Sequence, residues 1–427
     1  MANQPKRGAP LAATRAIAGA LPRVAQPLQE FLSTEAAGGV LLLAAAAAGM
    51  LWANLPSGSY ESAWGARVGS DVIGLHLDQT LRSWVNDGLM TLFFFVAGLE
   101  IKRELLHGEL AGRRRATLPV AAALGGMAAP ALIFAAFNAG GAGARGWGIP
   151  MATDIAFAVG VMALLGERVP SSLKVFLLAL AIVDDLGAIA VIAVFYSDGV
   201  AYGWLLAAGA MFAATVALQR AGVRSVAVYV TVGVVAWLAM HQSGVHATIA
   251  GVAMGLLTPS RSEGAAPPGS AATVPARSPL DRLEHTLHPW SSFAVVPVFA
   301  LANAGIAIDG GVLRGAAGSP ITAGVVLGLV AGKPAGIMFF SWLAVRARLA
   351  SLPEGVRWAQ LAGVATVAGI GFTVSIFVTA LAFPEAARAD EARIGVLCGS
   401  ALMAVAGLLL MRLTGSPGRD SELAPGG

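Results

Sequence analysis

Apolar residues fall in blocks along this chain, each closed by glycine, proline or charged positions. A hydrocarbon core about 30 Å thick takes about 20 apolar residues in helical form. On that rule the pattern predicts twelve membrane spans. The first six are Ala36–Asn54, Leu81–Leu99, Thr117–Phe137, Arg145–Leu165, Leu173–Tyr196 and Gly203–Leu218. The second six are Val226–Met240, His246–Leu257, Ser291–Ile306, Ile321–Val345, Leu361–Phe383 and Ile394–Met411. A transmembrane domain over 36–411 is thus expected between an N-terminal tail, 1–35, and a C-terminal tail, 412–427. The loop Val68–Leu77 sets Gly69 and Gly74 among β-branched and apolar residues, which predicts a short extracytoplasmic hairpin. Residues 260–279 are rich in Ser, Pro, Gly and Ala and read as a flexible cytoplasmic linker. Residues 1–35 are Ala- and Arg-rich, with no acidic residue before Glu30. They read as a cytoplasmic tail rather than a transit peptide, because no apolar core follows early enough for a cleaved signal.

An even number of spans puts both termini on one side. With that side cytoplasmic, the inner segments carry 21 Lys or Arg and the outer loops 6, and Lys333 inside a span completes the 28. Inner loops of membrane proteins carry this excess, so the termini are placed in the cytoplasm. The basic balance therefore reflects orientation and implies no nucleic-acid partner. Composition agrees, with 56% hydrophobic and 12% charged residues against roughly 25% charged in soluble domains. The single Cys398 excludes an internal disulfide and, inside an apolar run, is expected to be a small core residue.

The polar residues within the spans carry the chemistry. Asp184 and Asp185 are the twelfth and thirteenth of the 24 residues in their span. Charge at that depth costs several kcal/mol unless a partner or aqueous path exists, so an intramembrane carboxylate marks a functional site. Two adjacent carboxylates cannot both ionise cheaply, so one of them holds or releases a proton. Exchange of protons against a cation is the simplest use for such a pair. Lys333, thirteenth of 25, lies at the same depth, too far in for its stem to reach water easily. Thr153 and Asp154 sit midway along the fourth span. Gly369-Ile370-Gly371-Phe372-Thr373 sits midway along the eleventh and permits local unwinding where the backbone lines a cavity. Spans three to five and ten to twelve are seven apart and hence opposite in direction, the pattern of an inverted repeat with two discontinuous helices. Asp87, near the outer end of span two, reads as solvated, and Asn303 as a helix-joining residue.

Other classes fit less well. An intramembrane aspartyl protease needs its aspartates on separate helices, whereas neighbours on one helix point about 100° apart. A channel needs a continuous polar pore, and the polar residues here are few and midplane. A sodium-coupled solute symporter of similar inverted-repeat fold is the main alternative. No enzymatic activity and no cofactor is implied.

Several strings carry a resemblance. Ala152-Thr153-Asp154-Ile155-Ala156-Phe157-Ala158, Ala181-Ile182-Val183-Asp184-Asp185-Leu186-Gly187-Ala188-Ile189 and Ser243-Gly244-Val245-His246-Ala247-Thr248 are similar to stretches of the NhaA-type bacterial sodium/proton antiporters. So are Arg282-Leu283-Glu284-His285 with His288-Pro289-Trp290, Ala302-Asn303-Ala304-Gly305, Gly332-Lys333-Pro334 and the glycine run of span eleven. The resemblance runs from about Phe31 to Met411. It implies an all-α inner-membrane protein of twelve helices, with crossed broken helices and a β-hairpin used in homodimer formation. It implies electrogenic export of Na+ or Li+ in exchange for external H+, regulated by cytoplasmic pH, with membrane lipid as the surrounding partner. On the same resemblance Asp185 is a primary cation ligand, and Asp184 a proton carrier that pairs with Lys333. Asp154, Thr153 and Lys333 compensate the dipole ends of the broken helices. Glu100, Arg103, Glu104, Arg282, Glu284, His285, His288 and His246 are implied in pH sensing, a task suited to histidine. Lys102 lies in the same charged cluster. Asp281 stands where the family often has a basic residue, which bears on the pH set-point.

Overall fold

The computed structural model describes residues 21–69, 77–197, 199–223, 225–260 and 278–414. Most of the expected linker, most of the hairpin turn, and the ends of both tails lie outside these residues. The chain opens with helix α1 (Leu21–Ala53) and a short α2 (Ser59–Trp64). Strands β1 (Arg67–Val68) and β2 (Gln79–Thr80) then pair antiparallel, with Arg67 opposite Thr80 and Val68 opposite Gln79. The expected hairpin is therefore present in its two strands. Strand β1 begins one residue before the predicted loop and shares Val68 with it, and β2 begins two residues beyond its end.

Helices α3 (Leu81–His107) and α4 (Arg113–Asn138) follow. A 3₁₀ segment, Ala144–Met151, then leads through an extended break into α5 (Ile155–Ala163). Next come α6 (Ser171–Phe195), α7 (Tyr202–Arg220), α8 (Val226–Gln242) and α9 (Thr248–Leu257). Helix α10 (Pro279–Trp290) continues through a π turn, Ser291–Val295, into α11 (Val296–Asn303). The chain ends with α12 (Gly310–Gly318), α13 (Pro320–Arg346), α14 (Trp358–Val367), α15 (Phe372–Ala382) and α16 (Ala386–Thr414).

Among the described residues seven helices are long and apolar enough to cross a membrane, or eight if α14 and α15, bent by 47° at their break, count as one span. Burial sorts them. The most apolar stretch of α6 is 61% buried within the protein and that of α7 only 11%, so α6 is interior and α7 peripheral. The broken pair is interior too, with every residue from Phe372 to Val378 buried. Peripheral helices instead show apolar side chains outward, among them Leu206, Val230 and Val234. Without water to drive association, helices in lipid rely on close packing of small residues. Gly98 of α3 is such a contact, since a Cβ there would come 2.7 Å from the Val252 carbonyl of α9.

Three boundaries and one burial differ from the sequence reading. Helix α10 begins well before span nine because Ser278 caps it. Its hydroxyl accepts from the Asp281 amide (3.2 Å), while Asp281 accepts in return from the Ser278 amide (3.3 Å). Proline suits the first helical position between them, where its missing N–H costs nothing. Helix α16 likewise starts at Ala386 and α1 at Leu21, ahead of their apolar blocks. Cys398 is exposed rather than in the core. The buried face of α16 carries Gly395, Val396, Gly399, Ser400 and Met403, and helical periodicity turns position 398 away from it.

Candidate functional site

The site forms where two interrupted helices cross. The chain is extended at Ala152–Asp154 and non-helical at 368–371, and the two breaks meet directly, with the Asp154 amide donating to the Ile370 carbonyl at 2.7 Å. Glycine is needed there on steric grounds. A Cβ on Gly371 would sit 3.1 Å from the Ala152 carbonyl, and one on Gly369 would sit 2.9 Å from that of Leu329. Each break leaves helix ends inside the protein, with unpaired amides at one and unpaired carbonyls at the other.

Each end has a partner of the right sign. The Asp154 carboxylate accepts from the Phe157 amide of α5 through Oδ1 (2.9 Å). Its Oδ2 accepts from the Thr373 amide (3.0 Å) and hydroxyl (2.6 Å) of α15. One carboxylate thus serves two helix N-termini, where the positive ends of the dipoles lie. Carbonyls at the opposite ends receive donors. Lys333 Nζ donates to Met151 at the end of the 3₁₀ segment. The Thr153 hydroxyl lies 3.0 Å from the Ala368 carbonyl beyond α14. Ser375 of α15 donates to Ile149 at 2.7 Å, tying the broken elements once more.

The aspartate pair faces this crossing from α6. Asp184 Oδ2 is 2.7 Å from Lys333 Nζ, and both side chains are fully buried. The same oxygen lies 2.7 Å from the Thr153 hydroxyl, which has one proton to share between it and Ala368. Asp185, also buried, lies one residue further round the helix. Asp184 Oδ1 and Asp185 Oδ1 are buried with no hydrogen-bond partner among the described residues. Two unshared carboxylate oxygens beside a carbonyl-rich break form a donor set of the hard oxygen type that small cations prefer.

A second cluster lies where the C-terminal end of α3 meets α10. Glu284 of α10, buried, pairs with Arg103. His288 Nε2 is 3.5 Å from Glu100 Oε1. Burial pushes the Glu284 carboxyl above its ordinary 4.5, and Arg103 opposes that shift. Lys102 reaches across to cap α9, donating to the Leu256 (2.7 Å) and Thr258 (2.6 Å) carbonyls. Glu104 accepts from the Glu109 amide at 2.6 Å. Arg282 and His285 are exposed on α10.

The crossing therefore gathers Thr153, Asp154, Asp184, Asp185 and Lys333. The rim gathers Glu100, Arg103, Glu284 and His288. His246 joins neither. It precedes α9, whose far end Lys102 caps, and its Nε2 contacts the Tyr196 carbonyl at 2.9 Å. Asp87 is not simply solvated, being 26% exposed and 4.0 Å from His241. Asn303 pairs with Asn86 of α3 through contacts of 2.8 and 3.3 Å.

Sequence reading passed over the backbone carbonyls of Met151 and Ala368, which leave no trace in residue types. It also passed over Ser278, although Ser-Pro-x-Asp before a helix is a legible cap, in which Asp281 is the reciprocal partner.

The chain is similar in sequence to known proteins over nearly its whole length. The family described as Na+/H+ antiporter 1 matches residues 29–411. The Na(+)/H(+) antiporter NhaA of Shewanella sp. strain ANA-3 is 50% identical over 384 residues, 89% of this chain and 96% of the relative. NhaA 1 of Klebsiella pneumoniae is 48% identical over 390 residues, 90% of this chain and 96% of the relative. NhaA 3 of Frankia alni is 46% identical over 420 residues, 92% and 90% of the two chains. With its buried carboxylate pair set against broken helices and these matches running nearly end to end, the chain belongs to the Na+/H+ antiporter 1 family, a family of multi-pass membrane transporters.

Proposed function

We propose that this protein exports Na+, and Li+ with it, across a bacterial inner membrane in exchange for external H+, using Asp184 and Asp185 as the exchange site. The observation that carries this reading is the geometry at Asp184. One of its oxygens is committed to Lys333 at 2.7 Å, while the other, with one oxygen of Asp185, is unshared. A cation entering between the unshared oxygens draws Asp184 away from Lys333, and a proton on either carboxylate expels the cation. The two ligands compete for the same oxygens, which is what exchange requires. The symporter alternative gains nothing from the relatives, all of which carry antiporter names.

The finer architecture is part of the proposal. Twelve crossings result when α1, α8, α9 and the α10–α11 rod are counted with the eight longer spans. The segments α4–α6 and α13–α16 then form the two inverted units, their broken members crossing at Asp154 and Thr373. The termini face the cytoplasm on the charge bias, and the β1–β2 hairpin serves a homodimer. Glu100, Arg103, Glu284 and His288 form the cytoplasmic pH-responsive rim, with Glu104, Arg282 and His285 on its border. His246 takes part only through its own outer position. Exchange of more than one proton per sodium makes transport electrogenic, worth about 2.3 kcal/mol per elementary charge per 100 mV.

Everted vesicles loaded with an acid-inside gradient test the reading. Addition of Na+ should collapse the gradient in the wild type and leave it intact in Asp185→Asn. A gradient that collapses equally in both would remove the pair from the exchange site.

A further inference from the structure

The outer end of α8 carries a titratable contact that the exchange site does not use. His241 lies in the last turn of α8, and Trp237, one turn earlier, stacks against its ring with centroids 5.5 Å apart and planes 9° apart. Trp237 is itself stacked on Trp84 of α3, at 6.1 Å and 24°. His241 Nε2 lies 2.6 Å from the amide nitrogen of Gln79 in β2. With the Gln79 amide donating to Nε2, a neutral ring carries its proton on Nδ1. That nitrogen is 4.0 Å from Asp87 Oδ2. Asp87 stands on a π turn, Trp84–Leu89, whose carbonyl at Asp87 receives the Trp237 indole at 3.1 Å. Such turns recur at functional positions.

Among the described residues the surrounding charges are few. His246, from the loop before α9, acts electrostatically on Asp87 while its own ring contacts Tyr196. Asp78, next to Gln79, is taken by Arg67 at 2.8 Å. Helix α7 brings the exposed Tyr202 to this end, and its Arg220 lies at the other.

We propose that Asp87 and His241 form a second, outward-facing proton-responsive contact, which tightens in acid and ties α8 to α3 and to the strand β2 that precedes it. A neutral His241 ring offers Asp87 only a dipole. A protonated ring offers a full charge to the carboxylate, and its stacking on Trp237 becomes a cation–π contact. Protonation also turns Nε2 into a donor, which Gln79 meets by rotating its amide to present oxygen. The three partners thus respond together to one proton. The Trp237 stack on Trp84 and its indole bond to Asp87 hold this end at any pH, and the Asp87–His241 contact adds a hold that varies with pH. Ala208, Ala239, Met240 and Ala250 of α7–α9 form a small apolar cluster separate from the main core. That this end faces outward rests on the orientation proposed above, whereas the contact itself does not.

Amide hydrogen exchange on the purified full-length protein tests the contact without reference to transport. Corrected for chemical exchange rates, peptides containing Gln79 and His241 should be about threefold better protected near pH 6 than near pH 8.5, the effect expected of one partly exposed ion pair. His241→Gln and Asp87→Asn should each abolish that difference, and the double variant should go no further than either. A wild-type pH difference retained in His241→Gln, or losses that add independently, would overturn the proposal. His241→Gln should keep wild-type sodium-driven exchange at saturating Na+, so failure of the exchange-site reading and failure of this one give separate results.

Discussion

Thr373 gives both its amide and its hydroxyl to a single oxygen of Asp154, at 3.0 and 2.6 Å, across 219 residues of sequence. The other Asp154 oxygen caps its own half-helix at Phe157. A carboxylate that caps one helix start is ordinary. Here one carboxylate caps two, and they belong to the two interrupted spans whose crossing holds the aspartate pair.

Replacing Asp154 by Asn should therefore loosen both half-helices at once. Hydrogen bonds to a charged group contribute about 1.5–3 kcal/mol each, and the amide must turn a donor toward one of three donors. We expect a fall in melting temperature larger than that of Thr373→Val, which leaves the Thr373 amide bond in place. Equal melting temperatures for Asp154→Asn and wild type would show that the caps do not support the crossing.

Lys333→Ala should destabilise the protein by about 3–5 kcal/mol, the cost of breaking a buried pair and leaving one charge behind. The remaining Asp184 escapes part of that cost by staying protonated, so the loss should be smaller in acid. Lys333→Arg should keep more stability than Ala, since it retains the charge. Melting temperature against pH for the three proteins checks both statements.

If protons and Na+ meet at the same unshared oxygens of Asp184 and Asp185, as proposed, apparent sodium affinity should weaken as pH falls. In the simplest competition each pH unit below the titration midpoint costs about tenfold in affinity per competing proton. Half-maximal sodium concentrations measured at a series of pH values test this. A sodium affinity independent of pH would place the proton elsewhere.

Glu284 gives a pH effect of defined sign. Burial raises its carboxyl above 4.5, with Arg103 only partly offsetting it. A raised acid is stabilising relative to the unfolded chain only while it keeps its proton. That contribution is complete below the ordinary carboxylate range and is lost as pH climbs through the raised value. Glu284→Gln cannot ionise, so wild type should lose stability relative to the variant from acid toward neutral pH. In transport, the variant should shift the pH profile while leaving sodium affinity at the optimum within about twofold, the change of a rim charge rather than a ligand. Profiles that superimpose would exclude Glu284 from regulation.

The sequence announced the crossing through its departures from hydrophobicity. Asp184, Asp185 and Lys333 sit where charge is expensive, and Gly369 and Gly371 sit where a helix has no use for them, so each was visible as an anomaly. The way these anomalies are wired was less legible. Asp154 to Thr373, and Lys333 to the Met151 carbonyl, are pairings between distant segments, one of them to a backbone atom that every residue type carries. Cys398 was misplaced for a related reason. In a membrane both the interior and the surface are apolar, so an apolar run does not say which face is buried. His241 escaped notice because it follows a span end, where a histidine is unremarkable until the fold brings Asp87 and Trp237 to it.

The long reach of these contacts bears on how the protein is made. Lys333 follows Met151 by 182 residues, and Thr373 follows Asp154 by 219. During synthesis the first interrupted span and both aspartates enter the bilayer long before the lysine and threonine that complete them have been translated. A nascent chain at that stage holds carboxylates without counter-charge, and the bilayer favours them in their protonated, neutral form. Such a chain has no second set of half-helices and no competing ammonium group, so it lacks the means to exchange ions. On the proposed exchange site, unfinished copies therefore carry no ion leak, because the crossing closes only once Lys333 and Thr373 have been made.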